Sequence, residues 1–300
     1  MTVKLGIAPI AWSNDDMPEL GGDTSLEQCL SEASEAGFIG IESGGKFPKH
    51  SKDLLPLLKK HNLNLCSGWY GANLRMNSVK EEKDLIQDQL TLFKDCNSPC
   101  MVFAEVSGSI QGYPNKRLSE RPKMDLEDSK SFYKKISEIA KYLEDEGMPL
   151  AYHHHMGTVI ETHDDTVKFL ENTDDSVKLT LDTGHMLFAQ GNSEKILKDY
   201  SERIIHIHCK DIRKNVLENS LKHDLSFRSA FLEGAFTVPG DGCIDYLPLF
   251  NILKATEYSG WLVVEAEQDP EKANPFEYAK KGYKYLTENL NKSKIKIFKN

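Results

Sequence analysis

Eight short apolar runs, spread along the whole chain and separated by segments of helical periodicity, constrain the fold more than any other feature of this sequence. They are Leu5–Ala8, Phe38–Ile41, Leu63–Cys66, Met101–Ala104, Leu150–Tyr152, Leu179–Leu181, Ile204–Ile207 and Leu262–Val264. Short, nearly continuous apolar runs are how strands of a parallel sheet covered on both faces read. Between them, Ser25 to Ala36 places its apolar residues on one helix face, with Asp23 or Thr24 as its cap. Leu54 to His61 forms a second helix, and Val79 to Phe93 a longer one with acidic first turns. Ser129 to Glu146 carries Phe132, Ile136, Ile139, Ala140 and Leu143 at helical spacing and stops at Gly147. Asp165 to Leu170, Ser193 to Tyr200, Leu247 to Ala255 and Pro275 to Leu290 fill the remaining places.

Strand and helix repeated eight times, with no linker and no shift in composition, predict a single (β/α)8 TIM barrel rather than an open doubly wound sheet. The lack of a Gly-x-Gly-x-x-Gly after the first strand also argues against a dinucleotide fold. The barrel takes residues 1–291, and residues 292–300, with four lysines, read as a polar solvated tail. Two strand-to-helix connections are long, residues 106–126 and 210–245. In a barrel such loops rise from the catalytic face, so their length predicts a lid. The second holds a polar helical stretch, 215–231, and the turn residues Pro239-Gly-Asp-Gly242.

With 37 basic against 46 acidic residues the formal charge is −9, which repels phosphate backbones and anionic membrane surfaces. Nucleic acid and membrane partners are disfavoured on that ground, and a small-molecule partner is expected. No basic flank and long apolar stretch opens the sequence, and no run approaches the roughly 20 apolar residues of a membrane span. The six cysteines follow no framework spacing, as expected of reduced thiols in a cytoplasmic protein. Cys96 and Cys100 have no second pair to complete a zinc site and read as packing thiols.

Four of the late runs end on residues able to hold a divalent cation: His153-His154-His155, Asp182, His208 and Glu265. Adjacent parallel strands bring such ends together. Each residue alone has an ordinary structural explanation, a hydrogen-bonded core histidine or a helix cap; their coincidence at neighbouring strand ends favours a metal site. Residues two apart share a strand face, so His206 lies below His208, His153 and His155 point together with His154 opposed, and Glu265 pairs with Glu267. Trp12, Asn14, Glu42, Trp69, Glu105, His185, Lys210 and Arg213 also follow strand ends and are candidates for substrate contact.

These residues carry a resemblance. The chain resembles the xylose isomerase-like barrels, whose sugar isomerases and epimerases hold an ion with residues at the ends of their last four strands. Within them, Leu5-Gly-Ile-Ala-Pro-Ile-Ala-Trp-Ser-Asn-Asp-Asp16, Pro18-Glu-Leu-Gly-Gly22, Lys46-Phe-Pro48, Tyr152-His-His-His-Met-Gly-Thr158, Leu181-Asp-Thr-Gly-His185 and His206-Ile-His-Cys-Lys-Asp-Ile-Arg213 are similar to the inosose dehydratase family, from first strand to last. The resemblance implies ligands at Asp182, His208, Glu265 and His153, the last standing where the epimerases carry Glu. It implies Mn or Co as the ion, with Mg or Zn as alternatives, leaves a thiol cofactor such as glutathione open, and is compatible with a homo-oligomer. The implied reaction is dehydration of 2-keto-myo-inositol, a polyol ketone, through a metal-stabilised enolate. His155 or Glu267 is expected as base, His185 or Lys210 as acid, and Trp12, Asn14, Trp69, Glu105 and Arg213 as substrate contacts. The rival readings are a sugar isomerase or 3-epimerase of the same superfamily and a non-catalytic sugar-binding barrel.

Overall fold

The structure, a computed structural model, describes residues 1–299. The eight apolar runs become eight parallel strands: β1 Thr2–Ile7, β2 Gly40–Ser43, β3 Asn64–Ala72, β4 Met101–Glu105, β5 Leu150–His153, β6 Lys178–Asp182, β7 Ile204–Cys209 and β8 Trp261–Val264. Each pairs with the next in sequence, and β8 returns to β1 with Leu5 opposite Leu262 and Ile7 opposite Val264. That last pairing closes the sheet into the (β/α)8 barrel that the alternation of runs predicts.

Outward side chains of the strands meet the apolar faces of the helices. Leu5, Ile41, Phe103, Tyr152, Leu181 and Ile207 are buried against residues such as Phe132, Ile136, Phe169, Leu249 and Leu286. The Tyr152 and Phe169 rings lie 4.3 Å apart, and each buried side chain of this size contributes about 1.5–3 kcal/mol. Inside the barrel, Trp261 lies across Gly6 and Gly40. A Cβ on Gly40 would sit 2.3 Å from its ring, so no larger residue fits there. With Ala8, Cys66 and Val263, Trp261 forms an apolar floor beneath the polar residues at the strands' carboxyl ends.

Several boundaries differ from those the sequence predicts. The first helix, Leu26–Glu35, is capped by Ser25, whose hydroxyl accepts from Gln28 N, and not by Asp23 or Thr24. The helix expected over 79–93 is two, Val79–Leu85 and Gln87–Asp95. The tail is not simply solvated: Ile295 is buried, Lys296–Ile297 pairs in parallel with the start of β1, and Phe298 N donates to Val3 O. Isoleucines alternating with the lysines give this segment one apolar face, which its charge count conceals.

The two long connections pack on each other. Leu118 N donates to Leu225 O at 2.9 Å and Ser119 N to Asp224 Oδ1 at 2.9 Å. The expected helix over 215–231 is two, Lys214–Lys222 and Phe227–Leu232, which join Leu118, Met156, Phe188 and Phe236 in a second apolar cluster. Arg121 ties this cover to the connection after β5, with Nη2 2.8 Å from Asp165 and Nε 3.3 Å from Glu161. Burial pushes the Glu161 carboxyl up to about 7 against the pull of the Gly157 N–H and Arg121. Because the folded state holds this proton more tightly, its stabilisation is complete below the ordinary carboxylate value of 4.5 and is lost as pH rises to about 7. The Tm of Glu161→Gln minus that of wild type therefore increases between those pH values and is level above them. A difference that does not change with pH contradicts this. Among the described residues no helix is long and apolar enough to cross a membrane.

Candidate active site

Strand alternation carries polar side chains into the upper barrel. Asp182 of β6 and His208 of β7 are direct ladder partners, and His208 faces Val263 of β8 on its other side. Glu265, two residues beyond Val263, therefore projects on the same face, and His153 ends β5 beside Asp182. One donor atom of each of the four lies within 4.8 Å of all the others, and all four residues are buried. His153 Nε2 is 3.1 Å from His208 Nδ1 and 3.5 Å from Asp182 Oδ2, and His208 Nδ1 is 3.6 Å from that oxygen. Two imidazoles and two carboxylates with donor atoms this close could hold one divalent ion.

The unpaired atoms fit the same reading. Asp182 Oδ1 accepts from His185 N at 2.8 Å, capping the helix Thr183–Phe188, while its Oδ2 has no hydrogen-bond partner. Glu265 Oε1 meets Lys210 Nζ at 3.0 Å, while its Oε2, set against His208 Nδ1, makes no hydrogen bond. Each carboxylate thus commits one oxygen to the protein and turns the other, buried and unsatisfied, toward the imidazoles. Buried polar atoms without partners are rare unless an ion or water occupies the space between them.

Glu42 supplies the outer support. Its Oε1 accepts from His208 Nε2 at 3.1 Å and His206 Nε2 at 2.8 Å, so His208 turns Nδ1 toward His153, Asp182 and Glu265. Burial alone would raise the Glu42 carboxyl, but the two imidazoles hold it down at about 2. The pairing of β2 with β3 slips by one residue between Ile41 and Glu42, an irregularity of the kind that re-aims a side chain. His206 lies deeper and is satisfied by Glu42 and Cys100. Its partner-free counterpart is His153 Nδ1, so His153 has no such support. Glu42→Gln, which keeps the shape and loses the charge, weakens divalent ion binding roughly 10–100-fold. Calorimetric titration of Mn or Co checks this, and unchanged affinity removes Glu42 from the supporting role.

A second cluster adjoins the first. His155 Nδ1 donates to Met156 O at 2.7 Å, so its Nε2 carries the lone pair, 3.7 Å from Glu267 Oε1. The His185 ring lies 3.8 Å from that of His155. Lys210, fully buried, reaches His185 Nε2 at 2.9 Å, Glu267 Oε2 at 2.8 Å and Glu265. Burial by itself would make the ammonium more acidic, but Asp182, Glu265 and Glu267 push it above its ordinary value, so it stays charged. Gly184 makes room for its stem, since a Cβ there would stand 2.5 Å from Lys210 Cγ.

A cavity of about 130 Å³ opens above these residues. His155, His208, Glu265 and Glu267 line it, with Glu42, Trp69, Asp15, Asp16 and Gln111. Trp69 packs in T-shaped arrangement with His153 and His155, with ring centres 5.5 Å from each. Four expected substrate contacts lie elsewhere. Trp12 Nε1 donates to Glu32 at 2.6 Å, and Asn14 Oδ1 accepts from Asp16 N and Met17 N. Glu105 accepts from Ser107 N and Arg75 N, and Arg213 binds Gly234 O and Asp241 at the base of the cover. All four close loops around the site and none borders the cavity. His185 and Lys210 stand behind His155 and Glu267 and do not border it either. Asp15, Asp16 and Gln111 sit within loops, where strand alternation gives no signal. For Asp16 the available signal was its place in the Trp12-Ser-Asn-Asp-Asp16 run.

Residues 30–289 match the family of xylose isomerase-like TIM barrels. The chain is 44% identical to the inosose dehydratase of Clostridium beijerinckii over 95% of its own length and 97% of that protein's. It belongs to the inosose dehydratase family. Other relatives of this family member include the rhizopine catabolism protein MocC of Rhizobium meliloti, 43% identical over 95% of this chain and 88% of that one. Among solved structures, the IOLI protein crystallised with a zinc atom superposes with a TM-score of 0.69 over 97% of this chain and 99% of that one. At 19% identity that likeness shows a common fold.

Proposed function

We propose that this member of the inosose dehydratase family is a metal-dependent hydro-lyase that converts 2-keto-myo-inositol to a trihydroxycyclohexane-1,2-dione. One observation carries the reading: a single cavity is bordered both by two of the four clustered donors, His208 and Glu265, and by His155. His153, Asp182, His208 and Glu265 would hold the ion, and its mixed nitrogen and oxygen donors suit Mn or Co, with Mg or Zn as alternatives. When bound, the ion supplies a Lewis acid for the ketone oxygen.

The chain's own residues handle the proton. A ketone acidifies the hydrogen on the adjacent carbon, and His155 Nε2, fixed as acceptor by the Met156 carbonyl, removes it. Glu267 Oε1 stands 3.7 Å from that nitrogen. Lys210 balances the carboxylates gathered there, and together with His185 it orients His155 and Glu267 from behind. Trp69 packs against the His155 ring. The hydroxyl one carbon further on then leaves as water, and the enol that remains becomes the dione. The corner held by His153, where the sugar epimerases carry Glu, lacks the opposed pair of glutamates that epimerisation uses, which favours elimination. A small polyol ketone is the partner, the acidic surface suits neither nucleic acid nor membrane, and the reduced cysteines fit a cytoplasmic location.

Mixing the metal-loaded protein with 2-keto-myo-inositol tests the assignment. The expected result is a new ultraviolet absorbance from the enone and dione. An isomeric sugar ketone without that absorbance identifies an isomerase or epimerase, and binding without turnover identifies a sugar-binding barrel.

A further inference from the structure

We propose that Asp16 is the acid that protonates the departing hydroxyl, an assignment that rests on the dehydratase reading. Elimination is accelerated by a group in contact with substrate that protonates the departing hydroxyl, and most titratable groups bordering the cavity already have another task. Glu42 holds two imidazoles, and His208 and Glu265 belong to the ligand set. Glu267 is paired with Lys210, and Asp15 Oδ2 accepts from Gly45 N at 2.7 Å. Asp16 borders the same cavity at its solvent-exposed side, and its carboxyl makes no hydrogen bond or ion pair with the described residues.

Its backbone is nevertheless held firmly. Asn14 Oδ1 accepts from Asp16 N and Met17 N, both at 2.9 Å. Lys46 Nζ donates to Gly21 O and Gly22 O, and Arg228 pairs with Glu19, so the loop is tied to the connection after β2 and to the cover. Asn14, expected from the sequence as a substrate contact, is thereby a positioning residue for Asp16. Asp16 is exposed to solvent; the partial burial of its carboxyl, with Glu267 and Asp15 nearby, raises it above its ordinary value against the pull of His155.

The atoms balance without another reactant. His155 Nε2 takes the α-hydrogen as a proton, and the electrons of the broken C–H bond form the enolate. Those electrons then expel the β-hydroxyl, the C–O bond breaks, and the Asp16 proton passes to the leaving oxygen to give water. One proton returned from the imidazolium to the carboxylate restores both groups.

The two steps separate in heavy water. In metal-loaded Asp16→Asn, dehydration of 2-keto-myo-inositol falls at least about 100-fold, while deuterium still enters the α-position of recovered substrate. His155→Gln loses both. Wild-type dehydration in Asp16→Asn overturns the assignment, as does loss of exchange in step with dehydration. A wild-type protein that exchanges deuterium but never releases water overturns the dehydratase reading and the assignment with it, so the two failures are distinguishable.

Discussion

The Asp182→Asn protein folds as wild type does, binds its divalent ion at least about 100-fold more weakly, and does not dehydrate 2-keto-myo-inositol. Asparagine keeps the oxygen that caps the Thr183–Phe188 helix through His185 N. It replaces the other oxygen, which faces His153 Nε2 at 3.5 Å and His208 Nδ1 at 3.6 Å, by an N–H donor with no lone pair to offer. The loss exceeds the roughly 10–100-fold typical of an outer partner such as Glu42, because a ligand itself is removed. Asp182→Ala shows the same loss of metal and loses the cap as well, about 1 kcal/mol further in stability. Comparing the two by thermal denaturation and elemental analysis separates the fold from the site. Metal retained at wild-type stoichiometry in Asp182→Asn contradicts the ligand assignment.

The second large effect belongs to His155. Its replacement by Gln lowers kcat by about 10²–10⁴, while metal content stays at the wild-type level, since the His155 ring is not one of the four converging donors. The Nδ1 bond to Met156 O at 2.7 Å is what makes this specific: it fixes the tautomer, so the free nitrogen is the one beside Glu267. Steady-state kinetics with metal analysis of the same sample measures both. A wild-type rate in His155→Gln places the base elsewhere.

The barrel was legible because strand runs and helical faces have different periods, and eight repeats leave little choice of topology. The converging ends of β5 to β8 were legible for the same reason: period two forces Asp182, His208 and Glu265 onto one face. What spacing does not carry is the distinction between a polar residue that faces the cavity and one that closes its own loop. Trp12, Asn14, Glu105 and Arg213 stand at strand ends like His153, Asp182 and His208, yet Trp12 is satisfied by the Glu32 carboxylate, Asn14 and Glu105 by loop N–H groups and Arg213 by a loop carbonyl. Glu42 failed to declare its role for the opposite reason. Its partner His208 is 166 residues away across the barrel, and the register slip before it aims it there. Asp16 lies in a loop, where alternation gives no direction at all.

The central claim is that the ligand set and the proton-handling cluster serve one reaction in one cavity. Stripping the protein of metal, titrating Mn or Co back, and recording bound ion per chain and the rate of 2-keto-myo-inositol dehydration in the same sample tests it most directly. The expected rate rises in proportion to occupancy and levels off at one ion per chain. Full dehydration by the metal-free protein, or a saturated site with no water released, would contradict it.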